Sequence, residues 1–88
     1  MTVKIGASKE GKITAAQVKL AFEAGAYPGS PVTPGLTCGL ACYNISNGKL
    51  EGYDVVVNKP KSAAYRAPGS PQAAFAVESV IDEVCQKL

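Results

Sequence analysis

Few side chains in this 88-residue sequence are equipped for chemistry, and their types narrow the choices quickly. Histidine is absent, so neither a Ser-His-Asp nor a Cys-His nucleophile arrangement can be assembled. The soft ligands are Cys38, Cys42 and Cys85. A four-residue spacing would put Cys38 and Cys42 on one face of a helix. A zinc centre needs more ligands than these and usually shows tighter pairs. We therefore read the cysteines as small buried apolar side chains. Their odd number also argues against a disulfide framework. Glu51 and Asp54 are near neighbours, yet on a strand they project to opposite faces and cannot act as a carboxylate pair. Neither a Walker loop nor a G-x-G-x-x-G motif occurs.

One stretch has a physical rationale for binding: AAYRAPGSPQAAF, Ala63 to Phe75. It holds the chain's single arginine, Arg66. A loop of small residues lets a ligand approach the backbone, and a following helix start leaves N–H groups unpaired with partial positive charge. Arg66 adds a fixed charge and five donors. Such a joint suits an anion: phosphate, carboxylate or a metal-oxo group. The plainer alternative is a turn made by Pro68, Gly69 and Pro71, with Arg66 paired to a surface carboxylate.

The elements that hold this stretch can be read outward from it. Ser70 is placed as an N-cap and Pro71 as the first helical residue. Ala73, Ala76, Val77, Val80, Ile81, Val84 and Leu88 then recur at helical spacing, with Glu78, Asp82 and Glu83 off the stripe. Upstream, Thr2 to Ser8 alternates as a half-buried strand, and SKEGK closes a hairpin at Gly11. The segment KITAAQVKLAFEAGAY is ambiguous. Thr14, Gln17 and Gly25 mimic helix caps, but Ala16, Val18, Leu20, Phe22 and Ala24 keep period two for about nine residues. The hairpin signal favours the strand. GAYPGSPVTPG reads as loop. LTCGLACYNI predicts a short helix, weakened by Gly39. KLEGYDVVVN predicts a third strand, with Tyr53, Val55 and Val57 on one face. Tyr27, Tyr43, Tyr53 and Tyr65 read as amphipathic boundary residues. There is no internal repeat. The fold class expected is α+β: a two-layer sandwich in which a β-hairpin plus a further strand is packed by a C-terminal helix and a short middle helix.

Composition sets the outer limits. The length allows a single domain, residues 1–88. An apolar fraction of 47% is too high for a disordered tail. Net charge is only +2, with the lysines scattered, so nucleic acid is not an expected partner. No apolar run is long enough to span a bilayer, and MTVKIGASKEGK lacks a signal-peptide core. A cytoplasmic location without membrane contact is expected.

In order and spacing, GAYPGSPV and the long stretch ACYNISNGKLEGYDVVVNKPKSAAYRAPGSPQAAFAVESVIDEV resemble the large, molybdopterin-binding subunit of the xanthine dehydrogenase and aldehyde oxidase family. The AYRAPGSPQ stretch followed by an alanine-rich helix ending in ESVIDE is the most specific part. The resemblance implies hydroxylation of aldehydes or nitrogen heterocycles at a molybdenum–pterin cofactor. It also implies the remainder of that subunit, together with iron–sulfur and FAD domains or subunits, as partners. It makes Arg66 and its neighbour Ala67 cofactor contacts, largely through main chain. It places Pro68, and a position near Pro34, toward the substrate. Purine-oxidising members carry an aromatic residue and an arginine at these two places, so xanthine is not the implied substrate. The family's catalytic glutamate and other cofactor loops have no counterpart here. The chain is therefore expected to be a partial domain, a fragment or a truncated reading frame, inactive in isolation, with little bound cofactor and a tendency to self-associate through exposed former interface. The competing expectation is a stand-alone α+β module for protein–protein contact.

Overall fold

The computed structural model describes all 88 residues. Strands β1 (Thr2–Ala7) and β2 (Ile13–Gly25) form the expected antiparallel hairpin. Its turn is closed by the Ser8 N–H donating to the Lys12 carbonyl and the Gly11 N–H donating to the Ser8 carbonyl. Gly11 takes a φ of +82°, a left-handed conformation that glycine adopts without steric cost. Helix α1 (Val32–Gly39) then crosses to β3 (Gly48–Val56), which lies parallel to β2. The sheet order is β1-β2-β3. Helix α2 (Ser70–Lys87) closes the chain. Both helices lie on one face of the sheet, which gives the two layers of an α+β fold.

Period two wins in β2 because it sorts the apolar residues cleanly. Ala16, Val18, Leu20 and Ala24 are all buried on the helix side, while Lys19, Ala21 and Glu23 are exposed on the other. Val18, Leu20, Val32, Ala73 and Val77 make the core cluster. The α2 stripe behaves as its spacing requires: Ala73 and Val77 are buried, and Ala76, Val80, Ile81 and Val84 are half-buried. Leu88, at the end of the stripe, is 58% exposed.

Several positions differ from the sequence expectation. The middle helix begins at Val32, inside the segment read as loop, and ends at Gly39 instead of continuing through Ile45. Pro34 fits the first helical turn, where its missing N–H would have no partner anyway. Starting there buries Val32 and brings Gly35 and Gly39 against α2. Gly39 faces α2: a Cβ there would make ordinary contact with the Ala73 and Val77 side chains at 3.7 Å. The chain then leaves the helix through turns at Leu40 to Tyr43. The early end separates Cys42 from Cys38, and all three cysteines are exposed, not buried. At α2, Gly69 occupies the cap and Ser70 is already helical; the Ser70 hydroxyl donates to Cys38 Sγ at 3.1 Å instead of capping.

On β3, Leu50, Gly52 and Asp54 share the helix side with Val18, Leu20 and Phe22 through the parallel register. Gly52 is the contact that lets α1 lie down: a Cβ would come within 2.4 Å of Leu36 Cδ1. Glu51 and Asp54 fall on opposite faces, as the strand period requires. Glu51 meets Gln17 and Lys49 on the open face, while Asp54 turns to the segment before α1. No helix is long and apolar enough to cross a membrane.

Candidate functional site

The arginine loop, residues 65–69, bridges the end of the β3 side of the sheet and the start of α2. Tyr65, Arg66 and Ala67 are exposed, Pro68 is half-buried and Gly69 is buried. Its backbone is unusual at two points. Gly69 has φ +79°, and Ala67 has φ +56°, the one non-glycine residue in the chain with positive φ. An alanine held there costs about 1–2 kcal/mol relative to its relaxed conformation. Such strain persists only where surrounding contacts over-determine it.

Those contacts come from the N-terminus of α1. A Cβ on Gly69 would lie 2.1 Å from the Pro31 carbonyl oxygen and 3.0 Å from the Gly35 nitrogen. The Gly69 carbonyl in turn lies 3.1 Å from a Cβ placed on Gly35. Backbone therefore packs on backbone, and only hydrogen fits between. The Ser70 N–H donates to the Ala67 carbonyl and the Ala73 N–H to the Gly69 carbonyl, which closes the loop into the helix.

The seat for this loop is itself fixed from β3. The Gly29 and Ser30 N–H groups donate to the two oxygens of Asp54, at 2.7 and 2.9 Å. Lys61 Nζ donates to the Gly29 carbonyl at 3.0 Å. The Ser30 hydroxyl beside the carboxylate, then the two backbone N–H groups, hold the Asp54 carboxyl below its ordinary value, with Lys61 adding a smaller pull. The buried Ser30 Oγ reaches no partner at full hydrogen-bond geometry, so the two N–H groups are the bonds that hold the turn.

A small cleft of about 180 Å³ opens along the loop, lined by Tyr65, Arg66, Ala67, Pro68, Gly69, Pro71 and Gln72, with Pro31 and Ala63 opposite. A wider recess of about 490 Å³ shares Pro31, Ala63 and Gln72 and reaches Phe22, Glu23 and Ser62. The N–H groups of Arg66, Ala67, Gly69 and Gln72 are not taken by any hydrogen bond within the chain. Arg66 enters neither of the two ion pairs, which are Lys49–Glu51 and Lys59–Glu23. The surface-pairing alternative for this arginine is therefore not realised. Its charge and the nearby free donors suit an anionic or acceptor-rich group. No cluster of three or more histidine, cysteine or carboxylate groups is positioned to hold a metal ion.

The structure brings Arg66, Ala67 and Pro68 together on this cleft, whereas Pro34 sits on the exposed first turn of α1 and does not line it. Pro31 and Gln72 carried no role in the sequence reading, Gly69 entered there only as a turn residue, and Asp54 only as a carboxylate unable to pair with Glu51. A signal for two of them was present: Pro-Gly-Ser-Pro occurs twice, at 28–31 and 68–71, each time leading into a helix. The fold packs the two copies against each other at Pro31 and Gly69.

Comparison with known proteins identifies the family of the chain. The profile of the molybdopterin cofactor-binding domain matches residues 1–88. The large molybdopterin subunit of nicotinate dehydrogenase from Eubacterium barkeri is 30% identical over 91 residues, covering 100% of this chain and 21% of that protein. Indole-3-acetaldehyde oxidase from Zea mays is 34% identical over 86 residues, covering 96% of this chain and 6% of that protein. The chain thus spans about a fifth or less of the length of these relatives. It belongs to the molybdopterin cofactor-binding domain family and is related to the large subunits of the xanthine dehydrogenase and aldehyde oxidase enzymes.

Proposed function

We infer that the chain supplies one cofactor-contacting wall of a molybdenum hydroxylase, the loop 65–69, and that it is a partial domain without activity of its own. The observation that carries this is the strained Ala67 in a loop that lines a cleft and whose N–H groups take no hydrogen bond within the chain. Strain of this kind is maintained by the Pro31–Gly69 seat and leaves the loop backbone exposed to a ligand. The donor set fits a pterin-type cofactor: four N–H groups and one guanidinium, which match its phosphate and ring acceptors. When bound, that cofactor supplies the redox centre for oxygen insertion into an aldehyde or nitrogen heterocycle. The residues of this chain bind and orient. Arg66 and Ala67 offer main-chain donors, and Pro68 forms the wall toward the substrate. Pro68, the lining residue on that side, offers no aromatic face for a purine, which favours other heterocycles or aldehydes.

Two whole-molecule quantities support a partial domain. The accessible surface is 5909 Å², where a self-contained monomer of this mass exposes about 4,900 Å². The radius of gyration is 14.3 Å, against about 12 Å for a compact domain of this length. The excess matches surface that the rest of a large subunit covers, and the remainder of that subunit is the partner we assign. Iron–sulfur and FAD domains or subunits would then accept the electrons.

The test uses the complete enzyme that contains this segment. Arg66→Ala should keep most of the cofactor, whereas Ala67→Pro, which removes an N–H and forbids positive φ, should lose it while the protein stays folded by circular dichroism. Equal cofactor loss in both variants would contradict the main-chain role.

A further inference from the structure

We propose that Asp54 is a positioning residue for the arginine loop, acting across the molecule through the Gly29–Pro31 turn. Its carboxylate holds the Gly29 and Ser30 N–H groups from β3. Pro31 follows directly, and its carbonyl is the surface on which Gly69 seats. Gly69 ends the loop that carries Arg66 and the strained Ala67. Each link is backbone or a two-point carboxylate contact, so little slack exists between Asp54 and the loop.

The geometry assigns Asp54 this role instead of a plain capping role for two reasons. First, α1 takes no side-chain cap, and the carboxylate reaches the two residues before it from a different element. It is therefore a tertiary clamp, favoured also by the positive end of the α1 dipole. Second, the clamp is doubled by Lys61, which grips the Gly29 carbonyl from the segment leading to the loop itself. The turn is thus tied to both ends of the path that runs from β3 to α2.

The charged group facing Asp54 is Lys61. Helix α1 brings none, and on β2 the nearby Glu23 is engaged by Lys59. Protonating Asp54 should therefore free the Gly29 and Ser30 N–H groups and loosen the turn, leaving only the Lys61 bond to the Gly29 carbonyl to hold it. This inference rests on the view of loop 65–69 as the cofactor contact, but its test needs no cofactor, so the two can fail separately.

The experiment is a pH titration of the isotope-labelled 88-residue chain by amide NMR. On acidification, the amides of Gly29 and Ser30 should titrate with Asp54, and those of Ala67, Gly69 and Gln72 should titrate with the same midpoint. Asp54→Asn should abolish that shared titration. Val77→Ala, which weakens the core but leaves the clamp, should preserve it. Titration of Gly29 and Ser30 with the 67–72 amides unmoved would overturn the proposal, as would a shared titration that survives in Asp54→Asn.

Discussion

Replacing Gly69 with alanine separates two physical costs that the fold superimposes at this position. The first is conformational: Gly69 sits at φ +79°, where an L-residue is strained. Gly11 sits at φ +82° with nothing within 4 Å of its would-be Cβ, so it is the matched control for that cost alone. A left-handed alanine costs about 1–2 kcal/mol. Some of this is returned because alanine restricts the unfolded chain by about 0.4–1 kcal/mol. Gly11→Ala should therefore cost roughly 0.5–1 kcal/mol. Gly69→Ala bears the same term plus a clash with the Pro31 carbonyl and the Gly35 nitrogen, both backbone atoms that cannot swing aside. Overpacking of this kind adds about 1–3 kcal/mol, so the total is roughly 2–4 kcal/mol. Only 11 of the 88 residues are buried, so total stability should fall near the low end for this length, about 4–5 kcal/mol. Gly69→Ala would then remove about half of it or more. Urea unfolding followed by circular dichroism, with similar slopes for all variants, gives both numbers. Equal midpoints for Gly11→Ala and Gly69→Ala would refute the close approach of loop and α1.

Other perturbations report on neighbouring features. Ala67→Gly relieves positive φ and should leave stability unchanged or raise it by up to about 1 kcal/mol, whereas Ala74→Gly in exposed α2 should cost about 1 kcal/mol; chemical denaturation compares the two. The Asp54 carboxyl is held below its ordinary value, so its contribution to stability is present above the unfolded-state pKa and lost as pH falls through the folded one. Acid unfolding monitored by circular dichroism should accordingly begin at higher pH in the wild type than the loss of clamp-independent structure, and Asp54→Asn should flatten that arm. Tyr43 donates to Glu78 at 2.6 Å, and this bond, with smaller help from desolvation and nearby negative charge, pushes its phenol up to about 12. Its stabilisation is complete below the unfolded phenol pKa and disappears as pH rises through the folded one. In a phenolate absorbance titration Tyr43 should ionise late, and Glu78→Gln should bring it back toward the ordinary phenol value.

The amino-acid sequence determined the elements whose signals are local. The hairpin followed from alternation and a glycine turn, and α2 followed from a seven-position apolar stripe. The period-two pattern in β2 outweighed its helix-like caps because burial of alternate residues is worth more than capping. Residue types alone also removed histidine chemistry and singled out the arginine loop, and the order of motifs carried the family. Tertiary structure decided what depends on two segments meeting. Helix α1 starts four residues earlier than its local pattern suggests, because only that register buries Val32 and sets Gly35 and Gly39 against α2. The cysteines are exposed because the same register ends the helix before Cys42. The pairing of the two Pro-Gly-Ser-Pro turns, and the reach of Asp54 from β3 to Gly29 and Ser30, join residues 24 to 38 positions apart. Nothing in local propensity encodes such distances. They appear only when the sheet and helices are assembled, since a carboxylate on a strand does not announce which backbone it will hold.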